Sequence, residues 1–446
     1  MPCGHDRPGL RIHRAARRNN PSPGRARSVV SVDHCVRRGE SEGRRPVPTD
    51  RRRHRVGRCR HSESYFAEDF DLTALIHHTV GRNLARKHRR PAHAEWPARP
   101  PDRLRSRSPP PSSTRYRAQD CGYLSNVVSK FVRVGVDSIP WLATAAGAAG
   151  VILHFSRLSA RLPVLAASVA PYLMCLSIAG VVVFLGLRRW SGAGVALVVV
   201  VVALWTQLPL YYGRAGDEDG RLVRVMQANL LFDGADPRAL VDQVRERNIE
   251  LLTVNELTPA AIGALGGAGL DRLLPYRYLS PARTAAGTGI WSRYPLSDTV
   301  EYDGYVLNQL SATAAIPDAG PVSVFAFHPV PPVYDIDVWA DELSRLHAVL
   351  ENAPADRPAI VGGDFNATYD HAQFRAMLSG RFDDAVVQAG AGHLVTYPTD
   401  KWWPPLVGID HILIAGGHAV AVETLDIPGA DHRALTASIR LDRAPR

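Results

Sequence analysis

The sequence predicts an α/β domain carried behind a membrane-embedded segment, and three observations lead there. Residues 138–212 are dominated by apolar runs. From residue 221 onward, short β-rich runs alternate with stretches of helical period, and this last segment contains no cysteine. Charge divides the 446-residue chain in the same places. Residues 1–120 hold 28 basic and 12 acidic side chains, residues 121–220 hold 7 and 4, and residues 221–446 hold 18 and 27. The overall charge of +10 therefore originates in the first half, and the C-terminal segment, at net −9, has no basic excess with which to bind a polyanion.

Residues 1–125 are rich in Arg, Pro, Ser and His, as in Arg51-Arg52-Arg53-His54-Arg55 and Pro109-Pro110-Pro111. Such a composition buries too little apolar surface to offset chain entropy, so disorder is expected. A basic tail on an anionic surface and a translation start placed too far upstream both account for it. Only three of the 53 basic residues are lysines, Lys87, Lys130 and Lys401, a bias that says more about coding sequence than about chemistry.

The apolar runs cover residues 139–155, 162–187 and 190–212, the second free of charged residues over 26 positions. At 1.5 Å per helical residue the last two exceed the roughly 20 residues needed to cross a bilayer, and the first, rich in Ala and Gly, is marginal. Two to three transmembrane helices are expected, hence a multi-pass protein of the cell membrane with the lipid bilayer as its partner. Lys130 and Arg133 before the first run place the N-terminal flank in the cytoplasm. Three crossings then put the C-terminal domain outside the cytoplasm, and two would leave it inside.

Within 221–446, residues 222–230, 250–254, 289–292, 322–327, 359–362 and 409–414 read as strands. Asp236-Pro237 starts a helix, with a capping carboxylate followed by proline in the first turn. Residues 338–350 carry apolar side chains at helical spacing, and 435–441 form a last apolar run.

Polar residues stand at the ends of these runs: Asn229, Glu256, His328, Asp364 and Asn366, Asp410, and Asp431-His432. Strand ends hold the backbone rigid while a side chain faces a cleft. Carboxylates and carboxamides are the hard oxygen ligands of Mg2+, Mn2+ or Ca2+, and histidines add proton transfer or hydrogen bonding to an anionic oxygen. The five cysteines all precede residue 176, so no soft-metal site or disulfide framework is readable in this half. Singly, each such residue is also what an ordinary turn or cap would use. Their order carries the weight.

That order, Asn, Glu, His, Gly363-Asp364-Phe365-Asn366, Ile409-Asp410-His411 and Ala430-Asp431-His432-Arg433, resembles the endonuclease/exonuclease/phosphatase superfamily of deoxyribonuclease- and sphingomyelinase-like enzymes. The segment Gly287-Thr288-Gly289-Ile290-Trp291-Ser292-Arg293-Tyr294-Pro295-Leu296 is similar to another of its motifs, and the terminal Ala-Asp-His replaces a Ser-Asp-His. The resemblance covers residues 222–441. It implies a four-layer α/β/β/α sandwich, two packed mixed sheets flanked by helices, with the site at one end of the sheets. It further implies that Glu256 is the principal metal ligand, with Asn229 and Asp431 completing or bordering the metal and phosphate site. Asp364 would polarise water, Asn366 would orient water or a phosphate oxygen, and His432, paired to Asp410, would contact or protonate a phosphate oxygen. A His at 328 disfavours the abasic-site branch, where that position is Tyr.

The expected activity is divalent-metal-dependent hydrolysis of a phosphodiester, in nucleic acid or a phospholipid headgroup. A noncatalytic membrane-tethered ligand-binding domain is the rival, and no protein partner is readable. Trp402-Trp403-Pro404-Pro405 reads equally as a base-stacking or bilayer-dipping element and as a Pro-stiffened loop packing its own aromatics.

Overall fold

The computed structural model describes residues 135, 137–214, 216 and 219–442, and the expectation of disorder over 1–125 lies outside the described residues. The apolar part contains α1 (Asp137–Phe155), α2 (Arg161–Ala167), α3 (Ala170–Gly186) and α4 (Trp190–Gln207). α1 and α4, with the turn that extends α4 to Leu210, are each long and apolar enough to cross a membrane. The run at 162–187 is not the single helix the sequence predicts, because α2 and α3 meet at a bend of 71°. Pro171 lies in the first turn of α3, where it needs no amide partner but blocks continuation from the preceding turn.

Small residues let α1 and α3 approach. A Cβ on Gly147 would collide with Ser177, so glycine is required at that crossing. The hydroxyls of Thr144 and Ser177 bond back to carbonyls of their own helices, at Pro140 (2.7 Å) and Met174 (2.6 Å), which leaves neither unpaired.

The α/β part begins with β1 (Arg221–Asn229), α5 (Pro237–Glu246), β2 (Leu251–Asn255), α6 (Pro259–Ala268), α7 (Leu270–Leu273), β3 (Tyr276–Ser280) and β4 (Thr288–Ser292). It continues with β5 (Leu296–Tyr302), β6 (Gln309–Ile316), β7 (Gly320–Phe327), α8 (Ile336–Glu351), β8 (Ala359–Asp364), α9 (Ala372–Met377), β9 (Asp383–Asp384) and α10 (Ala385–Ala389). β10 (Asp410–Ala415), β11 (Gly417–Asp426) and β12 (Arg433–Leu441) close it. The strands form two six-stranded mixed sheets, in the orders β11-β12-β1-β2-β4-β3 and β5-β6-β7-β8-β10-β9.

Strand alternation explains the layering. Val223 and Val225 of β1 point inward with Leu251 and Ile290 and meet Leu310, Val322, Val324, Ile360 and Ile412 of the second sheet. Met226 and Ala228, one residue out of phase, face α5 to α7 through Leu240, Val244, Leu265 and Leu270. On the other outer face, Phe325, Phe327, Val361 and Leu413 pack against Trp339, Leu343 and Leu346 of α8 and Phe374 of α9. The result is a four-layer α/β/β/α sandwich. Asp236 caps α5 by accepting from the amides of Arg238 and Ala239, as its sequence predicts.

The sequence reading does not identify β3, β5, β6 or β11. β3, β5 and β11 are edge strands with at most one buried residue, and β6 is rich in alanine, with only Thr313 and Ile316 of the β-branched residues that mark a strand.

Candidate active site

Parallel pairing of β1 with β2 and of β7 with β8 brings carboxyl ends of strands from both sheets to one end of the sandwich. β12 and β10 begin there because each runs antiparallel to its neighbour, β1 and β8 respectively. All eight residues singled out in the sequence therefore converge. Asn229, Glu256, Asp431 and His432 arrive from the first sheet, and His328, Asp364, Asn366 and Asp410 from the second.

The contacts cross the seam between the sheets. His432 Nδ1 donates to Asp410 Oδ2 at 2.8 Å, and its Nε2 lies 3.7 Å from Asp364 Oδ2. His328 Nε2 stands 3.8 Å from the same Asp364 oxygen. The Asn229 amide donates to both Glu256 Oε1 and Asp364 Oδ2 at 3.2 Å. Asp364 Oδ1 accepts from the Asn366 amide at 2.9 Å, and the Asn366 side chain donates to the Pro329 carbonyl at 3.0 Å. Glu256 and Asn366 hold φ of 57° and 50°, a left-handed backbone that costs a non-glycine residue about 1 kcal/mol or more and is typical of sites whose surroundings over-determine the geometry. Gly363 precedes Asp364 because a Cβ there would strike the Phe327 carbonyl of the adjacent strand.

Burial and charge divide the two histidines. Burial pushes His328 down to about 3, helped by the charge on His432, so its ring is neutral. Burial alone would also lower His432, but the carboxylates of Asp410, Asp364 and Asp431 overcome it and lift the ring to about 10. Burial raises Glu256 to about 7 and pushes Asp364 and Asp431 upward, with the charge of His432 offsetting each in part.

Four carboxylates thus face one imidazolium, an excess of buried negative charge suited to a cation. Glu256 Oε2, Asp410 Oδ1 and Asp431 Oδ1 are buried oxygens with no hydrogen-bond partner. Asp364, Asp410 and His432 each offer a ligand atom, all within 4.8 Å of one another. This oxygen-rich donor set fits Mg2+, Mn2+ or Ca2+.

Sequence reasoning missed the residues that hold these in place. Asn255 donates to the Phe327 carbonyl (3.2 Å) and accepts from the Asp364 amide (2.9 Å) and from Gln227 (2.6 Å), tying four strands across the seam. Gln309 brackets His328, accepting from its amide at 2.7 Å and donating to its carbonyl at 2.6 Å. Glu342, fully buried on α8, accepts from the amides of Val306 and Val330. A carboxamide inside an otherwise apolar strand, such as Gln227 or Asn255, is the signal that could have found them.

Residues 226–438 match the model of the Endonuclease/Exonuclease/phosphatase family. Among solved structures, a humanized D. rerio TDP2 is 16% identical, with 49% of this chain and 99% of that chain covered and a TM-score of 0.42. An endonuclease/exonuclease/phosphatase from Beutenbergia cavernae is 18% identical, with 50% and 73% covered and a TM-score of 0.39. D. rerio TDP2 complexed with a single strand DNA product is 16% identical, with 49% and 99% covered and a TM-score of 0.43. No curated protein matches the chain. Residues 226–438, with their two stacked sheets and the polar cluster at one end, are a domain of the endonuclease/exonuclease/phosphatase family.

Proposed function

We propose that this protein is a membrane-anchored, divalent-metal-dependent phosphodiesterase. The observation that carries the reading is the convergence of four carboxylates and a charged His432–Asp410 pair, drawn from both sheets, on one buried cluster with unpartnered oxygens. Glu256, Asn229 and Asp431 would hold the cation, as expected from the sequence, with Asp364 and Asp410 beside it. The cation, when bound, supplies Lewis-acid stabilisation of the charge that builds on phosphate oxygens. Asp364, its carboxylate fixed by the Asn229 side chain and the Asn366 amide, receives the proton of the attacking water. Asn366 orients that water. His432, held by Asp410 with its Nε2–H presented, donates a hydrogen bond or proton to a phosphate oxygen, and neutral His328 adds a hydrogen bond without adding charge.

Anchoring is supported by α1 and α4, together with the bent α2–α3 pair. His154 at the end of α1 and Gln207 at the end of α4 both reach Asp370 of the domain, whereas Asp137 at the start of α1 pairs with Arg189 at the start of α4. α1 and α4 therefore run the same way and α3 runs back between them, the arrangement of three crossings. With Lys130 and Arg133 cytoplasmic, the catalytic domain lies outside. An acidic domain and Trp402, 91% exposed on the 397–407 loop whose Tyr397 ring lies 4.7 Å from that of His432, favour a phospholipid headgroup or small phosphodiester over long nucleic acid.

The test is a panel of plasmid DNA, RNA, phospholipid vesicles and a soluble chromogenic phosphodiester, with Mg2+ and with EDTA. Hydrolysis of at least one that EDTA abolishes is the expected result. No turnover of any of them in Mg2+, Mn2+ or Ca2+ would overturn the reading and leave a ligand-binding domain.

A further inference from the structure

Between the active site and the apolar helices lies a buried polar cluster that the chemistry above does not use. Asp370, 1% exposed, stands six residues beyond Asp364. Its Oδ1 accepts from His154 Nδ1 at 2.7 Å and from the Gln207 side chain at 2.9 Å, one donor from α1 and one from α4. The next residue, His371, bonds through Nε2 to the Val164 carbonyl of α2 at 2.9 Å, and Arg375 donates to the carbonyls of Tyr369 and His154. Val164 itself sits in the apolar cluster of α8 and α9. Three apolar segments thus seize one short loop.

That loop is the one that carries Asn366. From the catalytic end it is fixed by the Asn366 amide on Asp364, by the Asn366 side chain on Pro329, and by the Ala367 carbonyl, which accepts from His411 Nε2 at 2.9 Å. From the other end the Thr368 amide donates to His371 Nδ1 at 2.9 Å and the Asp370 amide to Thr368 Oγ1 at 3.3 Å. Only three residues separate Asn366, with its left-handed backbone, from Asp370. A lone carboxylate with two donors from different helices is an expensive way to join two layers, since burying it costs several kcal/mol unless it is fully paired. A purely adhesive contact would be served by the apolar packing already present at Val164.

We infer that Asp370 is a positioning residue for hydrolysis: with His154 and Gln207 it makes the apolar helices part of the active-site scaffold, clamping the loop that sets the position of Asn366. The inference rests on the phosphodiesterase reading for its rate effect, but the clamp itself has a readout that needs no turnover.

The experiment uses the full chain in lipid nanodiscs, with a soluble chromogenic phosphodiester in saturating Mg2+ and with hydrogen exchange of the 365–371 amides. Asp370→Ala should lower kcat about tenfold or more with KM within about twofold, because a displacement well under 1 Å at a water-orienting group acts on the reaction rather than on binding. Asp370→Asn, whose amide oxygen still accepts from both donors, should stay within about threefold of wild type. His154→Ala should lose rate in the wild-type background and little more in the Asp370→Ala background, since both remove one unit. Exchange of the 366–371 amides should quicken in Asp370→Ala and not in Asp370→Asn. Should Asp370→Ala not fold, Gln207→Leu carries both readouts. Unchanged exchange in a folded variant overturns the clamp whatever the rate does. Faster exchange with wild-type kcat overturns the positioning role alone. Wild-type protein inert in every metal overturns the hydrolase reading and the positioning role with it, while the exchange data still decide the clamp.

Discussion

Asp410→Asn should convert His432 from a group charged throughout the working pH range into one that titrates within it. Burial alone would lower the ring, and the neighbouring carboxylates lift it to about 10. Asp410 Oδ2 lies 2.8 Å from Nδ1, which sets the charge centres about 4 Å apart. At an effective dielectric constant of about 20 that attraction is about 4 kcal/mol, or about 3 pKa units. Without it, and with Asp364 still present, His432 should titrate near about 7, so that at about pH 8.5 only about one molecule in thirty carries the imidazolium. Asparagine keeps the shape and a hydrogen bond, so the folded state should persist. Initial rates on a soluble phosphodiester would be measured from about pH 6 to about pH 9 in saturating Mg2+, each divided by the wild-type rate at the same pH. The ratio should fall about eightyfold across that range. A flat ratio would refute the reasoning, by showing either that Asp410 does not set the charge of His432 or that the reaction does not use it.

Glu256→Gln and His432→Ala should each abolish hydrolysis while leaving the fold intact, measured by circular dichroism beside the rate assay. In EDTA the stability contributed by Glu256 and Asp364 should be full below about pH 4 and be lost as pH rises toward about 7. Glu256 is raised to about 7 and Asp364 upward in the folded state, so both bind protons that the unfolded chain releases, and saturating Mg2+ should flatten this slope in a pH series of melting curves. Asp384→Asn should destabilise by about 3 kcal/mol, because it leaves buried His411 without its carboxylate, 2.7 Å away in the native protein. Burial would lower His411 and Asp384 instead raises it, so the native advantage should be full below about pH 6.5 and shrink as pH climbs through the raised value, read by denaturant unfolding at several pH values.

The α/β domain was legible because its central strands are apolar on both faces and end in polar residues. The runs around Val225, Leu252, Phe325 and Val361 announce strands, and Asn229, Glu256, His328 and Asp364 stand where each run stops. Those positions meet in space because parallel pairing aligns the strand ends, a consequence of topology that no local window contains. The edge strands stayed hidden because half-exposed segments such as 296–302 need no apolar alternation. The bend at 168–169 stayed hidden because a charge-free run reads the same with or without a break, and only the placement of Pro171 hints at it. The roles of Asn255, Gln309 and Asp370 were not legible for a further reason. Their partners are distant in sequence, 109 residues from Asn255 to Asp364 and 216 from His154 to Asp370, and only the fold reveals a side chain whose role is to hold another.

Because half of the polar cluster hangs from each β-layer, the pocket is a joint and not a hole carved in one wall. His432 and Asp410, or Asn229 and Asp364, stay within reach only while the two layers remain pressed face to face. Warming that merely slackens the greasy seam between Val225 and Ile412 would pull the partners apart long before any strand frays. Lost turnover should then be the earliest sign of heat damage, at temperatures where the bulk of the backbone is still in place.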